Sequence, residues 1–309
     1  MSIAMREAFG KKLAELGKDN RDIVVLDADV SSSTKSGLFG KEFPARFFNV
    51  GVAEANMVGV AAGLATAGLR PVVNAFAIFL ALKGTDQIRN VLCYNSLPVV
   101  IAGAYGGLSD SYDGASHQSI TDIAIMRAMP NMEVIVPADS NQAQMALEYA
   151  LEQNHPVYVR LNRNPMPEVP SDGNFSSKKA VVLREGSDVT IAANGITASM
   201  ALEAGAILAA KGIEAEILSM AFVKPFDTES LAASVKKTGN LVTVEEHNII
   251  GGFGSAALEA LAATDLSFAY KAVGIEDTFT ETGAYDELLA AYGLSGENIA
   301  EKAEKLLKK

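Results

Sequence analysis

Apolar runs of strand length alternate with helical stretches along this chain, and that alternation leaves few folds open. Strands separated by helices pair in parallel through crossovers, so the pattern predicts an α/β class. In the first half, strands are expected at 23–26, 47–50, 72–75, 99–102, 133–136 and 157–160. Helical segments are expected at 5–16, 53–67, 83–91, 120–129 and 140–153. The pattern then stops. Positions 162–179 hold Pro165, Pro167 and Pro170, then Ser-Asp-Gly and Ser-Ser, with no periodicity, which is the composition of a connection between domains. Alternation resumes at 189–193 and continues through 199–210, 214–219, 231–236, 241–245, 254–263 and 270–273. The expectation is two domains, each a mostly parallel sheet flanked by helices, at 1–164 and 187–309, with a linker at 165–186. A length of 309 residues fits two cores better than one.

Composition narrows the function classes. A formal net charge of −11 argues against nucleic acid, whose phosphates need clustered Lys and Arg. The apolar stretch at 58–82 is interrupted by Arg70 and Pro71 and does not read as a membrane span. Positions 1–12 carry charges where a signal peptide would need its apolar stretch. The single cysteine, Cys93, permits no internal disulfide and fits a reducing cytoplasm, the expected location. His117, His155 and His247 lie far apart and share no metal-ligand spacing with cysteine, so no protein-only metal site is expected.

Four groups of residues could carry chemistry. Glu54 opens a helix rich in Gly59, Gly63, Ala61, Ala62, Ala65 and Ala67. An acid in a first turn ordinarily complements the helix dipole. This helix is also slim enough for another backbone to approach closely, which would leave the carboxylate partly desolvated and able to share a proton with a ring nitrogen. Phe76 and Phe79 follow the strand at 72–75, either as core residues or as a stacking wall for a flat heteroaromatic ring. Asp113 and His117 share the loop Tyr-Asp-Gly-Ala-Ser-His-Gln after the strand at 97–104, where open α/β sheets place ligands. Histidine there reads as an acid–base group or as a structural residue. Arg6, Ser33 and Arg163 are scattered, although a guanidinium fork suits a phosphate or sulfonate. Two imitations carry no weight. Gly252-Phe253-Gly254 stands six residues beyond its strand, too far for a dinucleotide turn. Ser171-Asp172-Gly173 with Asn194 lacks the leading glycine and the adjacent asparagine pair of a diphosphate–magnesium motif.

Taken in order, Val-Gly-Val-Ala-Glu-Ala-Asn-Met (50–57), Asp-Gly-Ala-Ser-His-Gln (113–118), Pro-Asn-Met-Glu-Val-Ile-Val-Pro-Ala-Asp (130–139) and Val-Glu-Glu-His-Asn-Ile-Ile-Gly-Gly-Phe-Gly (244–254) resemble the second half of transketolase. The resemblance covers nearly the whole chain. It implies a pyrimidine-binding domain followed by a C-terminal domain with no direct catalytic role. It also implies thiamine diphosphate as cofactor and transfer of a two-carbon ketol unit between sugars. Glu54 then matches the acid that bonds the aminopyrimidine and promotes loss of the thiazolium C2 proton. Phe76 and Phe79 match the aromatic pocket, with Leu82 where a third aromatic is frequent, and Asp29 matches an acid near the cofactor. His117 matches the histidine at the substrate's C1 and C2, and Asp113 the reader of a sugar hydroxyl. Arg6, Ser33 and Arg163 match the grip on a terminal phosphate. Tyr105 stands where many relatives have histidine, and Asp110 is an added acid, which points toward a modified sugar.

No Gly-Asp-Gly segment with a following asparagine pair occurs in the sequence. The resemblance therefore implies a split enzyme, in which an N-terminal subunit supplies the diphosphate and Mg2+ ligands, as a two-plus-two heterotetramer. Two rivals share the plan: the β subunit of a 2-oxo acid dehydrogenase, and a scaffold subunit without catalysis. A 1-deoxyxylulose-phosphate synthase would carry every domain on one longer chain.

Overall fold

The computed structural model describes residues 3–171 and 173–308; Asp172, in the weak Ser-Asp-Gly match, lies outside them. The first half forms strands β1 (Ile23–Asp27), β2 (Phe47–Asn49), β3 (Arg70–Phe76), β4 (Val100–Ala104), β5 (Glu133–Ile135) and β6 (Val157–Leu161). The second half forms β7 (Val181–Arg184), β8 (Val189–Ala193), β9 (Ala215–Ser219), β10 (Phe222–Lys224), β11 (Asn240–Asn248) and β12 (Ala269–Ile275). Two sheets result, ordered β10-β5-β6-β4-β3-β1-β2 and β12-β11-β8-β9-β7. Pairing is parallel except where β10 meets β5 and β7 meets β9.

The sequence explains the layering. Every residue of β1, β4 and β6 is buried, because helices cover both faces of a parallel sheet and both faces must be apolar. Met5, Phe9 and Leu13 of the helix Met5–Asp19 pack with Ala143, Ala146 and Leu147 of the helix Ser140–Glu152 over one face. Met57, Val58 and Ala61 of the helix Glu54–Thr66 join Ile123 and Met126 over the other. The register stacks Val25 on Val72, Val72 on Val100 and Val100 on Val157, a continuous apolar row across four strands.

Three details depart from the expected pattern. β7 lies inside the stretch read as linker; it is a half-exposed edge strand of four residues, too short and too polar around it to signal itself. β10 belongs to the second half yet pairs with β5, Phe222 opposite Ile135. The helix expected at 83–91 is present as Thr85–Gln87 running into a π-helix at Ile88–Cys93, but a further helix at Ala77–Lys83 precedes it. The run Phe-Ala-Ile-Phe-Leu-Ala-Leu is apolar on all sides, so periodicity gives it no phase. Two helices, Tyr285–Ala291 and Gly296–Leu307, close the chain beyond the last expected strand. Among the described residues no helix is long and apolar enough to cross a membrane.

Where β11 meets the first half, three ionisable groups are buried in succession. Burial pushes the Glu245 and Glu246 carboxyls up to about 7 and lowers the His247 imidazole to about 4. Between their ordinary value and about pH 7, the folded chain keeps protons on both carboxyls that the unfolded chain has released. Each therefore contributes stability that is lost as pH rises through that window. His247 acts oppositely, since the unfolded imidazole gains a proton as pH falls from 6.5 toward 4 and the folded one does not. Two carboxyls outweigh one imidazole, and Asp110, raised to about 6 mainly by burial, adds to their side. The melting temperature should fall by a few degrees between pH 5.5 and 8. Melting followed across that range checks this, and a melting temperature that climbs with pH contradicts it.

Candidate active site

Parallel strands bring their carboxyl ends to one edge, and that edge gathers residues far apart in sequence. Asp29 follows β1, Glu54 follows β2, Phe76 ends β3, Tyr105 follows β4 and Arg163 follows β6. This is where open α/β sheets hold ligands.

Glu54 begins the helix Glu54–Thr66 and is 4% exposed. The Lys83 ammonium lies 3.5 Å from its Oε1 and 3.9 Å from the centre of the Phe79 ring, joining acid and aromatic wall. Phe76 and Phe79 stand 5.8 Å apart, each half-buried, so neither is a core residue. His117 approaches both rings edge-on, at 5.1 Å from Phe79 and 6.1 Å from Phe76. The Ser116 hydroxyl lies 2.9 Å from His117 Nδ1 and helps to fix the ring. Leu82, at the position of an expected third aromatic, is exposed and lines a neighbouring cleft of about 450 Å3 with Ile78, Ser116 and Phe279.

Tyr105 joins this wall to the cationic end of the site. Its ring meets Phe76 at 4.5 Å, and its hydroxyl accepts from Arg6 Nη1 at 2.6 Å. Arg6 also donates to the Ser33 carbonyl at 2.7 Å. The Arg163 guanidinium lies 5.0 Å from the Tyr105 ring centre, on which a delocalised cation is attracted by the π face. Tyr105 takes a left-handed backbone with φ of 61°, uncommon for a bulky residue and a source of local strain. Asp110 is 1% exposed; its Oδ1 accepts from Arg163 Nη1 at 3.1 Å, while Oδ2 is without a hydrogen-bond partner. Burial and the neighbouring Asp113 carboxyl raise Asp110 to about 6, against the opposing pull of Arg163. The added acid thus sits directly on one of the two guanidiniums.

The structure therefore connects Arg6, Ser33, Glu54, Phe76, Phe79, His117 and Arg163 through shared contacts, while Asp113 is exposed on the same loop, its carboxyl acting on Asp110. Asp29 stands apart: it is exposed, and its carboxylate accepts from Asn49. Lys83 is the one member of the cluster that the sequence does not single out, although it falls one helical turn after Phe79 and so shares its face. Among the described residues, no three His, Cys, Asp or Glu side chains gather as a metal-ion site. An aromatic pair linked through Lys83 to a nearly buried carboxylate suits a flat ring with one hydrogen-bonding edge. Such a setting strengthens a proton-sharing hydrogen bond by excluding water.

Comparison with known proteins gives the same frame. Residues 1–168 match the pyrimidine-binding domain of transketolase, and residues 178–299 match the transketolase C-terminal domain. The chain is 40% identical over 303 residues to the 6-deoxy-6-sulfo-D-fructose transketolase subunit SqwH of Clostridium sp. (strain MSTE9), covering 98% of this chain and 94% of that protein. It is 37% identical over 309 residues to an apulose-4-phosphate transketolase subunit of Phocaeicola vulgatus, covering 99% and 98%. The solved structure of a split-gene transketolase, described as an inactive β4 tetramer, superposes with a TM-score of 0.91 at 48% identity over 99% of both chains.

Proposed function

This chain belongs to the transketolase family, as the second subunit of a split transketolase, and from that premise we propose that it forms the pyrimidine side of a composite active site that moves a two-carbon ketol unit from a ketose to an aldose. The family's dependence on thiamine diphosphate implies the cofactor, and the split relatives imply an N-terminal partner subunit. When bound, the cofactor supplies the nucleophilic carbon and the electron sink that ketol transfer needs. The observation that carries our reading is the single chain of contacts from Glu54 through Lys83, Phe79 and His117 to Phe76, Tyr105 and Arg6.

In this reading Glu54 holds the aminopyrimidine edge and shares its proton, and Phe76 and Phe79 flank the ring. His117 exchanges protons with the donor's hydroxyl and carbonyl oxygens, and Asp113 accepts from a sugar hydroxyl. Arg6 and Arg163, with Ser33 behind Arg6, hold the terminal group. Asp29 lines the approach to the cofactor and touches none of these. Mg2+ and its ligands belong to the partner, in a two-plus-two assembly. We divide the chain at 1–164, 165–186 and 187–309, with β7, at the end of the connecting segment, adding an edge strand to the sheet of the second unit. A cytoplasmic setting is supported by the lone, buried thiol of Cys93.

Substrate class follows from charge. Asp110 pairs with Arg163, leaving the terminal-group site with less positive charge than two guanidiniums would give. Relatives are named for a 6-deoxy-6-sulfo sugar and for apulose 4-phosphate, so termini vary within the family. We place this chain with donors whose terminus carries one charge or none, ahead of ordinary ketose phosphates. Reconstituted with its partner, the enzyme should prefer such a donor over xylulose 5-phosphate. Asp110→Asn should raise kcat/KM for the phosphate severalfold by freeing Arg163. Xylulose 5-phosphate as the best donor of the wild-type complex would overturn the substrate class. Turnover of 2-oxo acids in place of ketoses would overturn the reaction.

A further inference from the structure

The loop that follows Tyr105 and carries Asp110, Asp113 and His117 is closed at its neck by two backbone bonds, Gly107 N–H to Ser119 O at 2.9 Å and Ser119 N–H to Gly107 O at 2.8 Å. Just inside the neck, the buried Leu108 N–H has its acceptor in the other half of the chain: it donates to Glu246 Oε1 at 2.9 Å, across 138 positions. Glu246 lies on β11 and is 3% exposed. The same oxygen accepts from the Tyr285 hydroxyl at 2.8 Å. Its Oε2 accepts from Asn162 Nδ2 at 3.4 Å, and that amide also donates to the Tyr285 oxygen at 2.7 Å.

The carboxylate therefore touches two of the first-half segments that carry the terminal-group end of the site. Leu108 stands two residues from Asp110, and Asn162 immediately precedes Arg163. Arg163 N–H in turn donates to the Ser109 hydroxyl at 3.3 Å, tying these segments together. Glu246 is itself held. Its carbonyl accepts from Arg160 Nη2 at 3.0 Å, and Arg160 grips the buried Asp122 carboxylate, with Nε 2.9 Å and Nη2 3.3 Å from its two oxygens. The approach leaves no slack at Gly107: with φ of 64°, a Cβ there would stand 2.2 Å from Glu246 Cδ, so this position requires glycine.

Resting on the reading of the loop as the substrate end of the site, we propose that Glu246 is a positioning residue: from the second half of the chain it fixes the Gly107–Leu108 backbone and Asn162, and so sets the spacing of Tyr105, Asp110 and Arg163 around the donor's terminal group. The C-terminal half thereby takes part in substrate selection without touching the reacting atoms. Second-half contacts farther along the same loop agree with this. Gln118 Nε2 donates to the Glu281 carbonyl at 3.0 Å, and Gly283 N–H donates to the Ser111 carbonyl at 3.2 Å.

Two measurements test the proposal, on Glu246→Ala and Glu246→Gln. In the complex with the N-terminal subunit, Glu246→Ala should lower kcat/KM for the donor by about 10- to 100-fold, the weight of a buried donor left without its acceptor, mainly through KM. Deuterium exchange at the cofactor C2, governed by Glu54, should stay at the wild-type rate. Glu246→Gln keeps an oxygen for Leu108 N–H and the Tyr285 hydroxyl, and should recover most of the loss. In the isolated chain, amide exchange of the 106–113 segment should accelerate about tenfold or more in Glu246→Ala, with β8 unchanged. If the alanine variant does not fold, Tyr285→Phe, which removes one donor to the same oxygen, should shift loop exchange and KM in the same direction by less. Unchanged loop exchange, or kcat and C2 exchange falling together at constant KM, overturns the proposal. A wild-type complex without ketol transfer overturns the functional reading instead, and the loop-exchange result still decides the role of Glu246.

Discussion

Glu54→Gln, in the complex with the N-terminal subunit, is expected to slow ketol transfer by about 10²- to 10⁴-fold, the range for loss of acid–base assistance by one positioned group. Glutamine keeps the size of the side chain and one hydrogen-bonding pattern, so cofactor binding should change little. What it removes is a group able to hold a proton in partnership with a ring nitrogen. The setting makes that partnership strong. Glu54 is 4% exposed, and Lys83, which also lies over the Phe79 ring, stands 3.5 Å away on a side chain that is 49% exposed. An ammonium at that distance, itself open to water, balances the carboxylate's charge only in part. Proton–deuterium exchange at the cofactor C2 reads this step without any substrate. Exchange in the variant complex should slow in parallel with turnover, while KM for the donor stays close to wild type. Exchange at the wild-type rate would remove Glu54 from the role assigned to it. Lys83→Met gives a graded control: it deletes the nearby charge but leaves the carboxyl, and a much smaller effect is expected.

The residues of this site are unequally visible in sequence. Glu54, Phe76 and Phe79 are legible as candidates because each falls where an apolar strand ends, and the parallel arrangement alone predicts that strand ends share one edge. Their alternatives, a dipole cap and a pair of core rings, cannot be separated from function by spacing. Burial supports the proposed roles: the carboxylate is nearly covered and the rings are half open, unlike a surface cap and a core pair. Arg6, Ser33 and Arg163 have no local signature, and only folding brings Arg6 to Ser33 and both guanidiniums to Tyr105. Lys83 escapes notice because the helix that presents it is apolar on every side, which leaves periodicity no way to fix its register. Glu246 is hidden for a different reason. A buried carboxylate inside a strand has no periodic signature, and its partners Leu108, Asn162 and Tyr285 come from three other segments. Asp29 contacts Asn49 and none of the cluster, so its proposed place near the cofactor rests on the motif alone. The fold is unequally visible too. Long buried strands such as β4 and β6 stand close to their expected positions, whereas the short strands β7 and β10 depend on pairing with distant segments for their existence.

Alone, the chain is expected to show no ketol transfer and to bind thiamine diphosphate weakly, with activity appearing only when the N-terminal subunit is added. The cofactor has two ends with opposite demands. Its aminopyrimidine needs a flat apolar slot and one acid, the roles we propose for Phe76, Phe79 and Glu54. Its diphosphate with Mg2+ needs oxygen ligands for a hard cation and anchoring for several negative charges. The sequence has no Gly-Asp-Gly segment, and the described residues hold no cluster of three His, Cys, Asp or Glu side chains. Lys83 is engaged with Glu54, and Arg163 with Asp110. On the proposed reading, most of the charge-based anchoring comes from the partner subunit. We propose that the second surface meets this one at the helix Glu54–Thr66. Gly59, Val60 and Gly63 face outward, and a Cβ at either glycine would meet nothing within 4 Å. A helix side that slim allows close backbone approach in a symmetric pair, with Glu54 at its end. Calorimetry of the purified chain with thiamine diphosphate and Mg2+ should give at most weak binding. Mass measurement of the active mixture should give two copies of each subunit. Tight cofactor binding by the chain alone would show that the anchoring is built into residues outside the ring pocket and the cationic end of the site. A stable one-to-one active complex would show that the Gly59–Gly63 side of the helix does not join two copies. Either result would leave the ring pocket intact and relocate the missing half of the cofactor site, because the acid and aromatic wall are fixed by this chain's own strands.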